Sequence, residues 1–432
     1  MHMRLSVSRL AFQARQCWRD IVIVLVLAVG AAFAAFQGAQ LVDPVIVNDR
    51  AWDVWFNSDV PRVFSEMVVR SASHWRINAH PLFPLVAFPL VCILRVGLHL
   101  ESILAVRIVI AGVAPLWIGT LFLILRLMGC RRLDATLFSI LASVSASAMF
   151  WFAIPETFAF GSLTILLAIL VVGISERRRL SQLWYALASA LTLSFTVTNW
   201  MAGIFAAFVD HRWKRALQIT AMGLFVVVGL WGVEELVFPD IPTIPFATTD
   251  LKWERKYVFR KGSGGPLVSV RSFVFHSMVV PAIEVTPNDP RIYLMVTQHS
   301  SPGTASTWGT IAVGLWAALL GLGLWGILSL REHRHLRLVL GLTLAGQLVL
   351  HAVYGQETFL YSLHFAPLLV LLAAFGTQTR ARLAALILAG ALILSAGLNN
   401  GMQFDQVRQF LHSRSSPDQP LQTEVQFIPT DR

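Results

Sequence analysis

Charge is what this chain has least of: acidic and basic residues together make up 13% of its 432 residues, against about 25% in soluble domains. That scarcity excludes an ordinary water-solvated globule. Cysteine is almost missing too, with only Cys17, Cys92 and Cys130, so no disulfide framework is expected. No Walker loop, dinucleotide fingerprint, zinc-ligand spacing or Ser/Cys nucleophile signature occurs. The run Gly262-Ser263-Gly264-Gly265 precedes no clear strand-helix unit and does not make a nucleotide site. No cleavable leader is evident either, because the first apolar run, Ile21 to Leu41, is about long enough to span a bilayer and lacks a small-residue cleavage site. It reads as a retained first helix.

What the chain has in quantity is apolar residues, at 56% with a mean hydropathy of +0.65. The expected class is an all-α polytopic membrane protein, one integral-membrane domain over residues 1–432. The net charge of +10 comes in short Arg clusters between apolar runs, a distribution that orients membrane helices and argues against a nucleic-acid partner.

The positive-inside rule places Arg4, Arg9, Arg15 and Arg19, Arg126 to Arg132, Arg177 to Arg179, Arg212 to Arg215, Arg331 to Arg337, and Arg380 and Arg382 on the cytoplasmic side. About eleven crossings then follow, over 20–41, 102–127, 134–152, 157–174, a hairpin of two short helices (182–195 and 197–208), 216–237, 307–330, 336–353, 360–376 and 383–398. The N-terminus falls inside. The loops 42–101 and 238–306 and the tail 399–432 fall on the extracytoplasmic face of a cytoplasmic (inner) membrane. Pro81 to Leu98 does not fit this alternation, and Pro81, Pro84 and Pro89 disfavour a straight helix there. It is expected to be re-entrant or half-buried, with a true crossing as the alternative.

The first outer loop is dense in polar chemistry, with Asp43, Asp49, Asp53, Asp59 and Glu66 interleaved with Arg50, Arg62, Arg70, His74, Arg76 and His80. Within it Val60, Val63, Phe64, Met67 and Val68 recur at helical spacing, and Arg62, Glu66 and Arg70 form a stripe on another face. That pattern predicts an amphipathic helix lying on the membrane with a solvated charged stripe. Ser58 or Asp59 stands at its N-cap and Pro61 in its first turn. Asp59 is thus open to two readings, a cap and a reactive carboxylate, while Asp49 and Asp53 are open to loop roles. Trp52, Trp55, Phe56 and Trp75 are expected to anchor at the interface.

Two later segments carry similar ambiguity. Glu357, Tyr361 and His364 fall at i, i+4 and i+7, which predicts one helical face at the membrane boundary that Gln347 and His351 also approach. Tyr361 as an anchor, His364 as a core histidine, and both as ligand-binding groups remain open. The basic run from Lys252 to Lys261, including Lys256 and Arg260, places positive charge outside against the topology rule. An anionic ligand, with the glycines as a hinge, or anionic headgroups alone would account for it.

The order of features resembles the integral-membrane glycosyltransferases of the GT-C class, such as protein O-mannosyltransferases and the lipid A aminoarabinose transferase. The likeness is carried by a first helix, an acidic outer loop with a juxtamembrane helix, and His80-Pro81-Leu82 opening an apolar segment. It continues through Gly97 to Ser102 with Arg107, the basic turn at Arg126 to Arg132, and a second acidic outer loop, Ile154-Pro155-Glu156-Thr157-Phe158. It covers the N-terminal half, and the rest only as hydropathy. This chain carries a single Asp59 after Asn57-Ser58 where some members have an Asp-Glu pair.

The resemblance implies an enzyme of cell-envelope glycan biosynthesis that moves a sugar, with inversion, from a polyprenyl-phosphate donor to a hydroxyl of a glycan, lipid or protein acceptor outside the cytoplasm. Asp59 would be the base, and Glu156 would orient it or share a divalent metal ion with it. Asp49, Asp53, Arg62, His80, Lys256, Arg260, Glu357, Tyr361 and His364 would bind substrate. A transporter or flippase, and a ligase or polymerase of lipid-linked glycans, are the alternatives.

Overall fold

The structure is a computed structural model, and it describes residues 2–48, 53–74, 76–239, 241, 255–259, 261–289 and 292–415. Asp49, Trp52, Trp75 and Arg260 lie outside the described residues. Among those described, eight helices are long and apolar enough to cross a membrane, and the chain is an all-α polytopic membrane protein.

The long helices are α1 (His2–Leu41), α4 (Ser102–Leu127), α7 (Phe158–Ser175), α10 (Trp213–Val237), α12 (Thr307–Ser329), α13 (Arg334–Val353), α14 (Ser362–Ala374, extended at both ends by short 3-10 turns) and α15 (Arg382–Ser415). The shorter helices are α2 (Val60–Val68), α3 (Phe83–Cys92), α5 (Arg132–Ser143), α6 (Ala146–Trp151), α8 (Gln182–Phe195), α9 (Trp200–Asp210) and α11 (Pro266–Arg271). Helix α1 packs along α4, α12 along α15, and α8, α9 and α10 against one another. Every residue of α14 is buried, which makes it the axis of the bundle.

Three apolar stretches are made from short pieces. The predicted helix over 134–152 breaks between α5 and α6, where Asn400 donates from Nδ2 to the carbonyls of Val144 and Met278, both at 2.9 Å. Ser145 caps the new start by accepting from the Ala148 amide at 3.2 Å, so the break leaves few orphaned backbone groups in an apolar setting. The hairpin expected at 182–208 is present as α8 and α9, with extended backbone at Thr196 between them. Segment 81–98 forms α3 and a π-helical stretch over Ile93–Gly97, too short to cross a 30 Å core alone at 1.5 Å per residue.

The segment 238–306 holds more order than its sequence suggested. It carries an antiparallel hairpin, β1 (Glu284–Asp289) and β2 (Ile292–Val296), with Val285 opposite Met295. The Met295 amide donates to the Val54 carbonyl at 3.0 Å, which ties this hairpin to the first polar loop.

Helix α2 does not lie on the membrane. Val60, Val63 and Met67 are buried against the protein, and so are Arg62 and Glu66 on the opposite side. The charged stripe is therefore an internal ion pair and not a solvated face. Arg70 alone of that stripe stays exposed, donating to the Val237 carbonyl at the end of α10.

Candidate active site

A cavity of about 280 Å³ opens where the first loop, the 153–158 segment and the 355–361 segment meet. It gathers residues from distant parts of the chain: Asp53, Asp59, Arg62 and His80, then Glu156, then Lys256, and finally Glu357 and Tyr361.

The approach to Asp59 is a tight turn. Asp53, Phe56 and Asn57 all have positive φ, at 62°, 50° and 61°, a conformation that costs an L-residue roughly 1–2 kcal/mol. Asp and Asn tolerate it. Phe56 is held there by complete burial, with its ring edge-on to Phe359 at 5.0 Å and Phe150 at 5.6 Å. The turn sets Asn57, Ser58 and Asp59 in the cavity wall.

Asp59 occupies the N-cap position of α2, yet its side chain makes no capping bond. Oδ2 instead accepts from Arg62 Nε at 3.3 Å and lies 3.8 Å from Arg76 Nε. Oδ1 accepts no hydrogen bond among the described residues, and the side chain is 20% exposed. Arg62 is the hinge of the cluster: its Nη1 also reaches both oxygens of buried Glu66 at 2.8 Å. Burial works against the guanidinium charge, but Glu66, Asp59 and Glu156 outweigh it and hold Arg62 above its usual range.

Glu156 is 2% exposed. Its Oε1 accepts the backbone N–H of Asp59 at 3.0 Å and its Oε2 that of Thr157 at 2.9 Å. It thus grips the peptide of Asp59 and leaves the Asp59 carboxylate to the cavity. Burial pushes its carboxyl up to about 7, with Arg62 pulling the other way. His80 places Nδ1 2.8 Å from the Phe195 carbonyl, and since a carbonyl only accepts, that nitrogen carries the proton. Burial, Arg62 and Arg76 hold its ring well below the ordinary imidazole range, so it is neutral.

Tyr361 also lines the cavity and stacks on His351, with centroids 4.7 Å apart, and Lys256 and Tyr257 line it as well. Glu357 touches the cavity, but its carboxylate is spent on the fold. It accepts from Thr297 N and Oγ1 at 2.8 and 2.7 Å, from Gln298 N at 3.1 Å and from Phe359 N at 3.4 Å. Burial raises its carboxyl against these four bonds. The helical face expected to join Glu357, Tyr361 and His364 does not form, because Thr358–Tyr361 is a 3-10 turn and α14 starts only at Ser362. His364 is consequently 1% exposed, edge-on to Phe158 at 5.4 Å, and does not line the cavity.

Arg76, Tyr257, Gln356 and Phe158 also line it. Arg76 was visible as one more basic residue of the first loop, but nothing in the spacing singled it out. Tyr257 and Gln356 come from segments whose pairing, a bridge between Val258 and Tyr354, has no sequence signature.

Among the described residues no group of three or more His, Cys, Asp or Glu could hold a metal ion. Both Glu156 oxygens are engaged by backbone donors and one Asp59 oxygen faces two guanidinium groups, so this carboxylate pair does not fit joint metal ligation. No protein-family model, no curated protein and no solved structure matches the chain.

Proposed function

We propose that the chain is a membrane glycosyltransferase that moves a sugar from a polyprenyl-phosphate donor to an acceptor hydroxyl at the extracytoplasmic face of the cytoplasmic membrane. One observation carries this reading. A single cavity holds a partly exposed carboxylate, Asp59, one oxygen of which accepts no hydrogen bond among the described residues, and cations, with Arg62 and Arg76 beside it and Lys256 also in the lining.

The chemistry follows from those positions. Asp59 Oδ1 takes the proton of the acceptor hydroxyl as that oxygen forms its bond to the anomeric carbon. The bond from that carbon to the phosphate oxygen breaks, its electron pair leaves on the phosphate, and attack from the opposite face inverts the centre. Arg76 and Lys256 stabilise the charge on the departing polyprenyl phosphate. Glu156 is a positioning residue, since it touches Asp59 only through the backbone. Neutral His80 supplies a wall that hydrogen-bonds hydroxyls without adding charge.

A route for solute through the bundle is favoured by a different observation. Asn199, Gln347, His351 and His364 lie near one another in the bundle and each has a buried polar atom without a partner among the described residues. Transfer of labelled sugar by purified protein in proteoliposomes, supplied with a panel of polyprenyl-phosphate sugars and soluble glycan acceptors, separates the two. Product formation supports the transferase. Movement of label across the bilayer without a new glycosidic bond overturns it.

A further inference from the structure

A second space lies apart from the active-site cavity and shares none of its lining residues. It is a groove of about 280 Å³ between α1, α4, the α5–α6 pair and α15. Helix α1 leaves room for it by offering Ala31, Ala34, Ala35 and Gly38, an i, i+3, i+4, i+7 row with nothing beyond Cβ. Trp117, Phe152 and Phe404 line the groove from buried positions, and Ala34, Gln37 and Leu41 from exposed ones, so it opens on the outer surface of the bundle.

Its depth follows from α1. Ala31 lies ten residues before Leu41, the end of that helix, which is about 15 Å at 1.5 Å per residue, half of a hydrocarbon core of about 30 Å. From Leu41 the chain enters the first polar loop, and from Phe152 it runs on to Glu156, so the groove spans the leaflet on the cavity's side. Water is a poor occupant. Trp117 Nε1 already donates to Ser162 Oγ at 2.8 Å and Ser143 Oγ to the Ser139 carbonyl at 3.2 Å, whereas a buried water needs about 2–4 polar partners. A helix of a second copy, about 10–12 Å across with its side chains, is too wide for a slot of this volume. A hydrocarbon chain running from mid-membrane to the boundary fits in both length and chemistry. At the boundary Arg408, one turn past Phe404 on α15, keeps 40% of its side chain exposed beside Asp405 and offers a cation to a headgroup phosphate.

Two residues of the groove also support the segments that carry the carboxylates. Phe404 stands edge-on to Trp55 at 6.2 Å and to Phe150 at 5.4 Å, and Phe150 edge-on to Phe56 in the positive-φ turn before Asp59. Phe152 stands edge-on to Trp117 at 5.5 Å and opens the stretch that leads to Glu156. Their faces toward the groove gain packing contacts only from whatever fills it. We propose that the groove holds one acyl chain of a glycerophospholipid from that leaflet, and that this chain, packed on Phe152 and Phe404, supports the segments bearing Asp59 and Glu156. This lipid is neither donor nor acceptor, and its binding does not rest on the transferase reading.

The test uses the full-length protein, purified in detergent and given one equivalent of phosphatidylglycerol with a diazirine in one acyl chain. Photolysis is expected to label Ala34, Met149 and Phe404 about tenfold more than Phe225, a 74% exposed position on α10. No preference for the groove overturns the proposal. Displacement of the label by excess polyprenyl phosphate overturns it too, since the groove would then take the donor's tail, and a disulfide between two copies of a cysteine-free chain bearing Ala34→Cys would put a second protein there instead. In the second arm, hydrogen exchange is followed at the Asp59 and Thr157 amides, both held by Glu156. Stripping phospholipid should speed it about tenfold, and adding phosphatidylglycerol back should restore it. Gly38→Leu, whose new Cβ meets Ala153 Cβ at an ordinary 3.7 Å, fills the groove from α1 and should remove both the label and the lipid dependence of exchange. Exchange indifferent to lipid in the native chain, or a Gly38→Leu variant as lipid-sensitive as the native chain, overturns the supporting role.

Discussion

The two ends of the bundle handle charge in opposite ways. At the end away from the cavity, carboxylates are saturated by direct partners. Asp20 faces Arg126 and Arg132, the latter at 2.5 Å, and Asp134 receives Arg382. Asp210 accepts from Ser175 and Tyr185 and pairs with His335, and Glu176 holds His333 and the first turn of α13. At the cavity end the charges are less evenly matched. Arg62 serves Glu66 and Asp59 while Glu156 spends itself on backbone, which leaves an Asp59 oxygen undonated. One end uses its charge to hold helix ends together, and the other keeps charge poised in a chamber. Poised charge is what chemistry needs.

If that contrast is right, the largest effect should come from Asp59→Asn, with transfer lost by about 10²–10⁴-fold, the usual worth of a general base. Donor affinity and thermal unfolding should hardly change, because the amide still accepts from Arg62. Near-normal turnover of this variant in the proteoliposome assay would erase the distinction between the ends.

Next comes the buried pair. Glu66→Gln leaves Arg62 short of an anion where little water reaches, and removing one partner of a buried ion pair costs about 3–5 kcal/mol. Urea or thermal unfolding in detergent should register it as a clear loss.

Glu156→Gln should be milder, roughly 10–100-fold in turnover, since an amide cannot accept both N–H groups that fix Asp59. Its pH behaviour sharpens the point. The Glu156 carboxyl lies near 7 in the folded protein against an ordinary 4.5, so its stabilising contribution is complete below about pH 4.5 and is lost as pH rises through about 7. The variant should show a flatter stability profile over that window. It should also lose a limb near pH 7 in the activity profile, because the ionised form is the one that grips both amides. An unchanged limb would assign that titration elsewhere.

The smallest effect is expected at the other end. Asp20→Asn removes pairs whose side chains are each about a quarter exposed, and such pairs contribute about 0–1 kcal/mol. A loss as large as that of Glu66→Gln would mean the two ends are energetically alike.

The sequence showed the eight long helices plainly, because each is a long apolar run closed by basic residues. It also pointed, through the resemblance, to Asp59 in the first outer loop and Glu156 in the second, both of which line the cavity. It misjudged α2, since an amphipathic pattern reports that two faces differ and not what covers them. Arg62 and Glu66 satisfied each other and could be buried without leaving a lone charge. It misplaced His364 because i, i+4, i+7 spacing assumes one continuous α-helix, and the 3-10 turn at Thr358 shifts the phase. Lys256, Tyr257 and Gln356 reach the cavity through backbone pairing between remote loops, information that local periodicity does not contain.

The wall bearing His80 has a consequence for how the protein is made. Leu82 N–H donates to the Ser194 carbonyl, the Ala79 carbonyl accepts from Val197, and Leu85 N–H is received by Glu234 of α10. None of these partners has been synthesised when the first loop leaves the ribosome, and those contacts close loops of more than a hundred residues. A nascent chain halted before α8 should therefore carry an inserted but unshaped first loop, open to protease until α10 is in the bilayer. The cavity would then be among the last parts of the protein to mature.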